Sequence, residues 1–124
     1  MIEIKEISTY LNKERIILDL EALNKEEAIS KLAQTLKDSS ELTDFDKFLS
    51  DVLEREKLAS TGIGFNLALP HTRTETVKDF IVSIARLDKG VNFNSVEGDP
   101  VKLIFLIAIP KAEVQSYLNL LVQL

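Results

Sequence analysis

Val101-Lys102-Leu103-Ile104-Phe105-Leu106-Ile107-Ala108-Ile109 is apolar at every position but Lys102. A continuous run of this kind, rich in β-branched residues, predicts a central strand covered on both faces, because a half-exposed strand would alternate apolar with polar. The apolar stretch from Leu103 to Pro110 is far short of the roughly 20 residues that span a bilayer, so it reads as the middle of a sheet in a soluble protein. Working outward, Ile81 to Leu87 and the β-branched Arg15-Ile16-Ile17-Leu18-Asp19-Leu20 supply further strands, and Asn66 to Leu69 a short one.

Between the strands the apolar period changes to that of a helix. Asn24 followed by Glu27 forms a capping-box signature, and Ala28, Ile29, Leu32, Ala33 and Leu36 share one face through about Lys37. Thr43 with Asp46 repeats the start signal. Phe45, Phe48, Leu49, Val52 and Leu53 then recur at helical spacing as far as Glu56-Lys57, which places Arg55 in the last turn. Thr74 to Lys78 reads as one turn of helix. From Ala112 a last helix carries Val114, Tyr117, Leu118, Leu121 and Val122 on one stripe, and with neither Gly nor Pro to close it the domain reads as truncated at its C-terminal end. The order β-α-α-β-β-β-α predicts an α/β fold around a mixed sheet, in one domain over residues 1–124.

A chain of 124 residues buries roughly two thirds of its unfolded surface and needs no staple. It contains no cysteine, which removes thiol chemistry and is compatible with a reducing cytoplasm. The start, Met1-Ile2-Glu3-Ile4-Lys5-Glu6, lacks the basic and apolar parts of an export signal. A net charge of −5 disfavours general nucleic-acid binding, which needs a positive field. Zinc needs three or four ligands, so a chain with one histidine and no cysteine is a poor candidate for it.

That one histidine, His71, follows Leu69-Pro70 and precedes Thr72. Pro70 fixes its own φ and biases Leu69 toward extended backbone, so the chain entering His71 is stiff and aims the ring. A neutral imidazole keeps one lone pair and can attack phosphorus. Upstream, Ser60-Thr61-Gly62-Ile63-Gly64 reads as a loop in which glycines allow positive φ or a close approach. Arg55 is positioned to fold back toward His71, where a planar cation would stabilise a phosphoryl group. Taken without His71, Arg55 reads as a solvated residue at a helix C-terminus, paired with Glu54, Glu56 or the helix dipole. Thr72 either contacts phosphate or shapes a turn. The carboxylates of Asp44-Phe45-Asp46 and Glu54-Arg55-Glu56 fall on exposed helix faces, and no Walker-type phosphate loop exists.

With Glu54-Arg55-Glu56-Lys57, Thr61-Gly62-Ile63-Gly64 and Ala68-Leu69-Pro70-His71-Thr72-Arg73, the chain resembles enzyme IIA of the phosphoenolpyruvate-dependent sugar phosphotransferase system, fructose/mannitol type. Glu75 to Phe80, Gly90-Val91-Asn92-Phe93 and Gly98 to Pro110 are similar to its later segments, so the likeness runs from about Ile4 to Leu124. The resemblance implies a mixed sheet flanked by helices on both faces, as in mannitol-type enzyme IIA. It implies a cytoplasmic phosphocarrier without cofactor or metal, in which the tele nitrogen of His71 accepts a phosphoryl group from phospho-HPr and passes it to a cysteine of enzyme IIB. Arg55 matches the family's phosphate-stabilising arginine. Members often carry a second histidine near the start of the last helix, and Tyr117 stands there in this chain. A phenol donates a hydrogen bond but is no imidazolium. Tyr117 is equally a core residue of the helix stripe. Apolar Phe65 and Leu67 are candidates for the rim of a partner face. The alternative is a regulatory module of the same fold, nitrogen-type or associated with a transcription regulator, whose His71 phosphorylation state controls a partner. A third reading is an interaction domain with an inert His71.

Overall fold

The computed structural model describes residues 10–95, 98–111, 119 and 121–123. The elements, in chain order, are β1 (Ile16–Ile17), α1 (Lys25–Ala33), α2 (Phe45–Leu58), β2 (Gly62–Gly64), β3 (Leu67–Ala68), β4 (His71–Thr74), β5 (Ile81–Val91) and β6 (Val101–Pro110). The continuous apolar run is β6, and it is the centre of the sheet. Antiparallel β5 takes one edge of β6, while parallel β3 and then β4 take the other. At the margins β1 lies parallel to β5, and β2 antiparallel to β3.

Strand alternation divides the core into two clusters on opposite faces of this sheet. Ile104, Leu106 and Ala108 of β6, with Ile81, Ala85 and Leu87 of β5, meet Ile29 and Leu32 of α1 and Phe48 and Val52 of α2. Ile107 and Ile109 point the other way, with Val82, into a smaller cluster with Tyr10 and Phe80, against which Leu121 also packs. Both faces of β6 are therefore buried from Leu106 to Pro110, while Lys102 and Leu103 at its start are exposed and Phe105 is half-buried, in a mixed sheet with helices. No helix among the described residues is long and apolar enough to cross a membrane.

Helix starts follow their side-chain chemistry. The Asn24 side chain accepts the Glu27 N–H at 2.8 Å, as the capping signature predicts, and the Glu27 carboxylate turns to Lys31 at 3.0 Å. For α2 the cap is Asp44, which accepts from the Lys47 N–H at 3.1 Å, one residue beyond the expected Thr43. Thr43 is otherwise engaged: its N–H and its hydroxyl both donate to the Thr76 carbonyl. The same stitching prevents the expected turn of helix at Thr74 to Lys78. There the Lys78 N–H donates to the Glu41 carbonyl and Val77 bridges Leu42.

The strand expected over Arg15 to Leu20 shrinks to Ile16–Ile17, opposite Ile84 and Ala85. Beyond it Leu18 is 56% exposed, and its carbonyl accepts from the Arg86 side chain. Conversely, Gly62–Gly64 is a strand, not a loop, and β5 runs on past Leu87 through an irregular register to Val91. Most of the helix expected from Ala112, including Tyr117, lies outside the described residues. Asn119, Leu121 and Val122 are helical. Because Leu106 is fully buried between the sheet and the helices, Leu106→Ala is expected to lower unfolding stability by about 2–5 kcal/mol, read from urea denaturation curves.

Candidate functional site

His71 opens β4 immediately after Pro70, and the backbone on either side of the proline is pinned. The Leu69 N–H donates to the Thr61 carbonyl at 3.0 Å, and the Pro70 carbonyl accepts the Ile107 N–H at 3.0 Å. Leu67 and Ala68 face Leu103 and Ile104, while His71 to Thr74 face Ile107 to Pro110 in the same register. Thus β3 and β4 are one parallel strand interrupted at Leu69-Pro70, where proline has no N–H to give to a ladder.

The interruption orients the imidazole. His71 Nδ1 lies 2.8 Å from the Leu69 carbonyl oxygen. A carbonyl only accepts, so Nδ1 carries the proton and the lone pair of the neutral ring sits on Nε2. The ring is half-buried, and burial, the largest influence, lowers its pKa from the ordinary 6.5. The Leu69 hydrogen bond opposes this, the Arg55 charge reinforces it, and the Glu56 charge opposes it. At neutral pH the ring is a neutral base.

Arg55 sits in the last turn of α2, where its Nη1 donates to the Ala59 carbonyl at 2.9 Å. Together with Thr72 and Leu58 it lines an open groove between α2 and β4. Deeper in this seam Thr74 donates to Asp51 at 2.9 Å and Asp51 pairs with Lys47 at 3.0 Å, which fastens the helix to the strand. Along β4, alternation directs His71 and exposed Arg73 to one side and buried Thr72 and Thr74 to the other. Tyr117 lies outside the described residues.

Glu56 departs from the sequence expectation. The sequence reading places it, by spacing, on an exposed helix face, yet it is only 4% exposed, while its neighbour Glu54 is in the open. It accepts the Thr61 N–H at 2.9 Å and the Thr61 hydroxyl at 2.6 Å, and pairs with Lys25 of α1 at 3.4 Å. The signal is present in the spacing, since Phe48, Val52 and Glu56 form one i, i+4, i+8 stripe and are the buried residues of α2.

The glycines do the two things expected of them. A Cβ on Gly62 would lie 2.1 Å from the Ser95 hydroxyl oxygen, and Gly64 has φ +91°. The β2–β3 turn continues through Phe65 and Asn66, both at positive φ (56° and 62°), leaving Phe65 88% exposed. Leu67 is half-buried at the start of β3.

The family profile described as "Phosphoenolpyruvate-dependent sugar phosphotransferase system, EIIA 2" matches residues 9–124. The chain belongs to this family. It is 35% identical over 119 residues to the PTS system fructose-specific EIIA component of Haloferax volcanii, covering 96% of this chain and 77% of that protein. Among solved structures, the nitrogen regulatory protein IIA-Ntr of Neisseria meningitidis superposes with a TM-score of 0.87 at 31% identity, covering 95% of this chain and 80% of that one. The mannitol enzyme IIA of Escherichia coli, solved in complex with phosphorylated enzyme IIB, gives 0.75 at 28% identity, with 90% and 78% covered. Sugar-specific and nitrogen-regulatory EIIA proteins therefore share this fold.

Since burial favours the neutral ring, the unfolded chain binds the His71 proton more readily than the folded one. The resulting stabilisation is present above pH 6.5 and is lost as pH falls through the lower folded value. An NMR titration of the His71 ring is accordingly expected to give a midpoint below 6.5.

Proposed function

We propose that this EIIA domain is a phosphocarrier, in which Nε2 of His71 takes a phosphoryl group from the phosphohistidine of HPr and yields it to a cysteine of an enzyme IIB. The observation that carries the reading is the 2.8 Å contact of Nδ1 with the Leu69 carbonyl, because it holds a proton on one nitrogen and the reactive lone pair on the other. As the new N–P bond forms at Nε2, the N–P bond of the donor breaks and its electron pair stays on the donor imidazole. His71 is then a phosphorylated, cationic ring whose Nδ1–H still has its acceptor. When a thiolate attacks phosphorus, the bond to Nε2 breaks and the ring returns to neutral. No proton leaves His71 at either step.

Arg55 supplies the fixed positive charge that the phosphoryl oxygens need during transfer, and Thr72, whose side chain turns to the side of β4 opposite the ring, supports the site through its place next to His71 in the strand. The complex of the E. coli relative with phosphorylated IIB supports the acceptor, while the donor rests on the family's chemistry. The relay operates in the cytoplasm, upstream of sugar uptake and phosphorylation. A regulatory role, with the phosphorylation state of His71 controlling a partner protein, is the second reading. It is favoured by the fit to the Neisseria nitrogen regulatory protein.

Incubation with enzyme I, HPr and labelled phosphoenolpyruvate is expected to place acid-labile label on the wild type and none on His71→Ala. Undiminished label on that variant would overturn the relay. Addition of a IIB then separates carrier from regulator by whether the label moves on. Arg55→Ala is expected to slow uptake of label on the order of 10²-fold, the scale of removing one preorganised charge-stabilising group.

A further inference from the structure

Burying a carboxylate is costly, and Glu56 is buried within the last turn of α2, where it pairs with Lys25. Its two oxygens grip one residue, Thr61, by the backbone N–H and the hydroxyl together, and this fixes both the position and the rotation of the loop leaving α2. The carbonyl of Thr61 accepts the Leu69 N–H at 3.0 Å. The carbonyl of Leu69 accepts Nδ1 of His71 at 2.8 Å. Consecutive pieces of the chain are thus joined in one line, from Glu56 of α2 through the 61–69 hairpin to the ring at the head of β4, and the line is anchored to α1 by Lys25.

We infer that Glu56 is a positioning residue for His71, which sets the place of the Leu69 carbonyl and with it the Nδ1–H tautomer that leaves the Nε2 lone pair for phosphorus. This rests on the phosphocarrier reading and deepens it. The links pass through the Cα atoms of Thr61 and Leu69, not through a shared peptide group, so what the line transmits is position. The carboxylate adds a second, direct effect, because its negative charge favours proton binding by the ring and offsets part of the influence of Arg55. Neighbouring residues at the end of α2 consequently have opposite tasks. Arg55 lines the open groove between α2 and β4, and Glu56 faces the loop that holds the base.

The test uses the full chain, labelled with ¹⁵N, as wild type, Glu56→Gln and Thr61→Val. Glutamine keeps the shape and one acceptor but removes the charge and the two-pronged grip. Long-range ¹H–¹⁵N spectra above the titration of the ring report which nitrogen carries the proton, and near-UV circular dichroism reports whether the fold is intact. The wild type is expected to show Nδ1–H, and folded Glu56→Gln a mixture containing the Nε2–H form. Its uptake of label from phospho-HPr is expected to be about tenfold slower, the lower end for outer partners of a functional imidazole, with all label still on His71. A tautomer unmoved in folded Glu56→Gln overturns the inference, whatever the rate does. Should Glu56→Gln not fold, Thr61→Val decides, since it retains the carboxylate and loses only the hydroxyl donor: a shifted tautomer supports the role and an unshifted one overturns it. If the wild type takes no label at all, the phosphocarrier reading fails, while the tautomer comparison needs no donor and still decides whether Glu56 sets the ring.

Discussion

A strand with no polar face has to be covered twice, and this requirement on β6 organises the whole domain. Its edges are occupied by β5 on one side and by the β3–β4 line on the other, and its faces by α1 and α2 above and by Tyr10 and Phe80 below. The functional geometry follows from the same ladder. Because β3 and β4 keep one register along β6, the break at Leu69-Pro70 is held from both ends, and the Leu69 carbonyl that the ladder does not use is available to the His71 ring. The His71 ring is thereby held by main-chain atoms, which have far less freedom than another side chain would.

The site is assembled from groups that act on one another through charge and position. Arg55 and Glu56 bias the ring in opposite senses, and burial outweighs either. The helix that carries both is itself tied to β4 through Asp51 and Thr74. His71, Glu56 and Arg55 are therefore carried on elements fastened to one another, beside the open groove between α2 and β4.

What can be read in the chain follows the strength of the local signal. The apolar run of β6, the Asn24 cap and the amphipathic stripe of α2 each have one dominant physical cause, and each is found in the structure. β4 is not legible as a strand because His-Thr-Arg-Thr has no apolar alternation: its pairing comes from β6, a tertiary cause that no local window contains. β2 is hidden by its glycines, which read as loop although close approach to Ser95 is what they provide. Glu56 reads as exposed when its spacing is taken with the neighbouring carboxylates, whereas counted from Phe48 and Val52 it falls on the buried stripe. That the Arg55 charge is felt at the His71 ring fits the expected chain reversal through the glycine segment, whereas the carbonyl that fixes the tautomer is backbone and leaves no mark on residue identity.

The place of β6 in the order of the chain bears on assembly. β3, β4 and β5 all pair with this strand, and all of them precede it. During synthesis they leave the ribosome before their central partner exists, able to form helices, a short hairpin and small clusters but not the joined sheet. Hydrogen bonding across the middle then condenses late and over long sequence separations, the regime in which folding is slow and vulnerable to wrong pairing. The residues that most need to be kept from sticking to other chains are therefore the same ones that finally close the centre of the molecule.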